Sequence, residues 1–194
     1  MKKNILSIIV TALMIISCNN QEKKTDLQIE SEKWQKELLL NREVGKPCRE
    51  GYEFQKWREE NPEVYYGLEQ VQSVETDFNS DGIKDGLFYF SSENCYGGTG
   101  MVSNYAMLVY SNNKQLLTNK NITSTIEKKI KIVIYESGIY DQLTVVLWYT
   151  DFDKNIFGNY FVRKSGDATG NPSFRGKFEF NPIDFSIKLE NNKE

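Results

Sequence analysis

Apolar positions follow two rhythms along this chain, and the change comes near residue 71. Before it, Leu27, Trp34, Leu38 and Leu39 fall near one face at helical spacing, which predicts a helix over 27–41. Thr25 or Asp26 can cap it, and Trp34 at that spacing reads as core. A shorter helix is expected over 52–60, ending where Pro62 disfavours helical backbone at Asn61. After residue 71 the period becomes two. Strands are expected over 71–78, 87–91, 104–110, 143–149 and 160–163, with 104–110 and 143–149 apolar on both faces. Ile130, Ile132 and Ile134 alternate with Lys129, Lys131 and Val133, which reads as another half-buried strand. Residues 137–141 then read as a hairpin turn leading to 143. Phe174, Phe178 and Phe180, and then Phe185, Ile187 and Leu189, alternate with polar residues around an Asn181-Pro182-Ile183-Asp184 turn. The long connection 112–127 has room for a short helix or strand. About eight strands with mostly short links favour antiparallel pairing. The expected fold is α+β, with N-terminal helices packed on one large meandering antiparallel sheet. A β-sandwich or barrel is the alternative.

Composition narrows the chemistry. The 194 residues include 24 basic and 27 acidic side chains and no histidine. A mildly acidic chain without a basic run is a poor electrostatic partner for nucleic acid. The lack of histidine excludes Ser-His-Asp triads, Cys-His dyads, His-ligated zinc and imidazole acid–base catalysis. Carboxylate pairs, Tyr and Lys remain as possible catalysts.

One segment carries a metal signature. Asp77-Phe78-Asn79-Ser80-Asp81-Gly82-Ile83-Lys84-Asp85 follows the pattern D-x-N-x-D-G-x-x-D. Calcium takes several oxygen ligands from carboxylates, amides and carbonyls. Asp77, Asn79 and Asp81 present oxygens at alternating positions, Gly82 permits a sharp bend, the Ile83 carbonyl can add a ligand and Asp85 can close the loop. An EF-hand would need Glu at the twelfth position, where this chain has Phe88. With strands expected on both sides, the segment resembles the strand–loop–strand calcium motif of FG-GAP or integrin-type repeats, over about 15 residues and in a single copy. The resemblance implies a structural calcium ion, but no propeller. An Asp/Asn/Gly-rich turn without an ion is the other reading of the same residues. The segment Asp151-Phe152-Asp153-Lys154-Asn155 alternates oxygens too, but lacks the Gly and a closing carboxylate, so it reads as a turn.

The N-terminus reads as an address. Met1-Lys2-Lys3 precedes an apolar run over 5–16, then Ser17 and Cys18. The run is short of the roughly 20 residues that span a bilayer. Basic start, short apolar stretch and small residue before the cut site read as a secretory signal. Ile15-Ile16-Ser17-Cys18 resembles the lipobox of a bacterial lipoprotein signal peptide. The resemblance implies removal of residues 1–17 and acylation of Cys18, which would anchor the chain in the lipid bilayer. Residues 18–26 then read as a polar tether and 27–194 as a single globular domain. Asn19 is not the Asp that retains enterobacterial lipoproteins at the inner membrane, so the outer membrane is favoured, with its face open. In that oxidising compartment Cys48 and Cys95 are expected to pair as a disulfide, two buried thiols being the alternative.

The remaining candidates are softer. The Gly-rich run after Cys95 and Tyr96 has no Gly-Lys-Ser/Thr and is not a P-loop. Tyr65, Tyr66, Tyr96, Trp148 and Tyr149 could form a sugar-stacking or partner surface, or belong to the core. Glu59, Glu60, Asp167 and Asp184 could supply a glycosidase pair only if the fold placed them at the right separation. The sequence therefore suggests a non-enzymatic envelope lipoprotein with a structural calcium site, binding a protein, peptide or glycan. An immunity or inhibitor lipoprotein and a carboxylate-based hydrolase are the alternatives.

Overall fold

The protein is described by a computed structural model over residues 24–46, 52–96, 102–139, 142–168 and 171–191. Helix α1 spans Asp26–Leu40. The Thr25 hydroxyl accepts from the Gln28 N–H at 3.2 Å, and the Gln28 side chain accepts from the Thr25 N–H at 2.9 Å, a reciprocal capping box. Leu27, Ser31, Trp34 and Leu38 form its buried row. The chain leaves α1 through Arg42 at φ 56°, with the Glu43 N–H donating to the Leu38 carbonyl at 3.0 Å. Helix α2 spans Tyr52–Glu60, as the sequence predicts.

The first sheet has strands β1 (Gln72–Thr76), β2 (Asp85–Glu93), β3 (Val102–Asn112) and β4 (Gln115–Asn119), antiparallel and in that order. Asn113 and Lys114 join β3 to β4 with φ of 51° and 63°, the backbone of a two-residue hairpin turn that matches the strand twist. The sheet is covered on both faces. Phe88, Phe90, Met107 and Val109 pack with Leu27, Trp34 and Leu38 of α1, while Leu87, Ala106 and Leu108 point the other way.

The expected strand around Ile130 is instead helix α3, Ile122–Glu136. Ile122, Ile126, Ile130 and Ile134, four residues apart, are its buried row, whereas Ile132 and Val133 are exposed. The helical row and the alternating row share Ile130 and Ile134; the helical one wins because it buries four isoleucines against both sheets. The expected hairpin at 137–141 is corrected with it: Ser137 caps α3, Gly138 turns the chain at φ 90°, and β5 follows.

Helix α3 also breaks the expected large sheet in two. The second sheet has β5 (Thr144–Phe152), β6 (Ile156–Arg163), β7 (Phe174–Phe180) and β8 (Ile187–Asn191), again antiparallel and in sequence order. Phe185 lies outside β8, in the turn before it, at φ 58° and with its ring 6.2 Å from that of Phe180. The class is mixed α and β, and the described strands close no barrel. The inner face of the second sheet, α3 and one face of the first sheet share a core. Tyr89 and Tyr149 meet across it at 5.4 Å, and Phe78 and Phe152 at 5.5 Å. Phe78 and Phe152, both buried, contribute roughly 1.5–3 kcal/mol each. Gly158 is required on that face: a Cβ there would lie 2.4 Å from the Trp148 carbonyl oxygen and 2.5 Å from the Phe178 ring.

Candidate functional site

The aspartate loop joins β1 to β2 and is organised by its own acceptors. Asp77 takes the N–H groups of Asp81 at 3.0 Å and Gly82 at 2.8 Å. The Asn79 side-chain oxygen accepts from the same Asp81 N–H at 3.1 Å, and Asp81 accepts from the Ile83 N–H at 2.8 Å. These are the short-range bonds by which Asp and Asn hold tight turns. Ser80 and Gly82 take positive φ, 61° and 83°, to make the bend. Because Asp77 and Asn79 share one donor, their oxygens lie close together, each with a lone pair to spare.

Asp85 plays a different part. It is buried, and its two oxygens accept from the Phe78 N–H at 3.1 Å and the Ser111 N–H at 2.8 Å. It thus ties the start of the loop to the end of β3. Ser111 also donates its hydroxyl to Asp81, and its carbonyl accepts from the Asn79 amide at 2.7 Å. Ser111 is the residue sequence reasoning missed: it lies 26 positions beyond Asp85, and no local pattern marks it.

The charges of the loop oppose one another. Burial pushes the Asp85 carboxyl up, and the nearby Asp81 and Asp77 carboxylates push it further. The Asp81 carboxyl is held low by the Ser111 hydroxyl and the Ile83 N–H. The hard-oxygen donor set fits calcium, with Asp77, Asn79, Asp81 and the Ile83 carbonyl as the available ligands. Asp85 fits better as the anchor beneath them. Among the described residues no three acidic or Cys side chains gather closely enough to hold an ion as they stand.

The other candidates divide. The 151–155 segment is the β5–β6 turn, with Asn155 donating its N–H to Asp153 and its amide to Glu179. Asp167 and Asp184 bind local N–H and hydroxyl donors that hold their carboxyls low, unsuited to a general acid. Cys48 lies outside the described residues, as do Cys18 and the apolar run before it. No helix among the described residues is long and apolar enough to cross a membrane. The Cys95 N–H donates to the Tyr65 carbonyl at 2.8 Å.

Of the aromatic set, Tyr149 and Tyr66 pack into the interior. Tyr65 and Tyr96 pair at 5.6 Å, with the Arg58 guanidinium 4.1 Å above the Tyr96 ring. Trp148 is 54% exposed, on the outer face of β5, beside an open groove of about 610 Å³. A second cleft, about 580 Å³, lies between α1, β3 and α3 and contains Glu37, Glu43 and Glu127. Burial pushes the Glu127 carboxyl up, against the pull of Lys131.

Comparison with known proteins adds no identity: no family model, no curated protein and no solved structure matches the chain.

Proposed function

We propose that the protein is an envelope lipoprotein of a bacterial membrane, anchored through an acylated Cys18. Its domain binds an external protein, peptide or glycan and uses calcium to stiffen the loop 77–85. What supports the calcium reading is that the Asp77 and Asn79 side-chain oxygens share the Asp81 N–H, that the Asp81 carboxylate lies 3.4 Å from the Asn79 amide nitrogen, and that burial and the charges of Asp81 and Asp77 push the Asp85 carboxyl up. A divalent cation there would offset the mutual repulsion of the carboxylates and favour the folded loop. The role is structural, because the loop joins β1 to β2 and its anchor Asp85 reaches β3.

Calcium chloride titrated calorimetrically into the full chain in detergent tests the reading. One saturable site, absent in Asp77→Ala and in Asp81→Ala, is the expected result. No heat of binding, or equal heat in both variants, would leave the loop as a hydrogen-bonded turn. A carboxylate-based hydrolase is the second reading, favoured by the raised Glu127 carboxyl in a cleft that also holds Glu37 and Glu43.

A further inference from the structure

The two sheets leave edge strands β1 and β5 beside one another, and the Tyr89–Tyr149 contact seals the seam beneath them. In front of that seam lies the groove of about 610 Å³, within the usual size of small-molecule sites. Its wall combines one exposed indole, Trp148, with the amides of Gln70, Gln72 and Asn159 and the carboxylates of Glu69 and Glu93.

We infer that this groove binds a neutral saccharide, stacked on Trp148 and held by the surrounding amides and carboxylates. The inference rests on the binding reading above and names the ligand class for it. Trp148 is a large apolar ring left 54% exposed, yet it is steadied by edge-to-face contact with Phe161 at 5.8 Å. A rigid exposed aromatic gives contact area at little entropic cost. The apolar C–H face of a sugar ring matches it. The sugar's hydroxyls each donate and accept, and they meet amides that do both and carboxylates that accept. Electrostatics select among sugars. No Lys or Arg lines the groove among the described residues, and the Glu69 carboxylate adds negative charge to it. A phosphorylated or uronic-acid ligand would be repelled.

The test uses the full chain in a detergent without sugar headgroups. Neutral trisaccharides (maltotriose, cellotriose, mannotriose, N,N′,N″-triacetylchitotriose), the charged trigalacturonate and the peptide trilysine are titrated, read by tryptophan fluorescence and calorimetry. The expected result is saturable binding of at least one neutral trisaccharide. Trp148→Ala should weaken it about ten-fold or more, with an unchanged melting temperature, while Trp148→Tyr should retain most of the affinity. Absence of neutral binding up to about 10 mM, binding indifferent to Trp148→Ala, or binding of trilysine or trigalacturonate alone would overturn the inference. Each titration is run in calcium and in EDTA. A calcium response without sugar binding sinks the groove alone. Sugar binding without a calcium response sinks the loop reading and leaves the groove standing.

Discussion

Ser111 and Asp85 are 26 residues apart, and their contact closes the base of the aspartate loop. The Ser111 N–H donates to Asp85 at 2.8 Å while the Ser111 hydroxyl reaches Asp81. The loop is thereby held against β3 as well as between its own two strands.

Asp85→Asn tests that contact. One amide oxygen can accept from only one side, so the amide NH2 would face either the Phe78 or the Ser111 N–H. The cost should be about 1–3 kcal/mol of unfolding stability at neutral pH. The pH dependence has a definite sign. A carboxyl raised in the fold contributes stability that is complete below its unfolded pKa, roughly 3.9, and lost as pH rises through the folded value. Burial, with Asp81 and Asp77, raises Asp85. In EDTA, the stability gap between wild type and variant should therefore widen as the pH falls through that folded value. A gap that narrows would contradict the assignment.

Helix α3 makes a second prediction. Ile126 is fully buried and Ile132 is 40% exposed. Ile126→Ala should cost about 2–5 kcal/mol, measured by chemical denaturation, and Ile132→Ala less than about 0.5 kcal/mol. Comparable losses at both positions would restore the alternating strand.

The disulfide is a third. The Gly45 N–H donates to Tyr66 and the Cys95 N–H to Tyr65, so the run through Tyr65 and Tyr66 lies between those two segments. Two strand spacings put Gly45 and Cys95 about 10 Å apart, and the three residues of chain from Gly45 to Cys48 can span at most about 10 Å. A Cys48–Cys95 bond would close a 48-residue loop and add about 4 kcal/mol in the chain-entropy model. Alkylation of the unfolded, unreduced chain followed by mass spectrometry should leave both cysteines unlabelled. Label on both would refute the pair.

For the anchor, Cys18→Ser should move the protein from the membrane fraction to the soluble fraction and abolish labelling by radioactive palmitate. Retention in the membrane would remove the lipoprotein reading.

Legibility in the sequence followed the range of the forces. The cap at Thr25, the helical row through Trp34 and the two apolar faces of β3 are local, and all could be read directly. The residues 130–134 fit two periods at once, and only the packing of Ile122 and Ile126 against both sheets decides between them. With that helix misread, the split into two sheets could not be foreseen. In the loop, the turn-forming bonds of Asp77 and Asn79 follow from residue type. The inward turn of Asp85 does not, because its partner arrives from the far end of β3. The groove depends on two edge strands meeting, which no local pattern encodes.

The most direct measurement is the melting curve of the chain in millimolar calcium, in millimolar magnesium and in EDTA. A ligand that binds only the folded state raises stability with the logarithm of its concentration over its dissociation constant. The account predicts a clear rise in Tm with calcium, little with magnesium, and none in Asp81→Ala. Equal curves in calcium and EDTA, or an equal rise in Asp81→Ala, would contradict it.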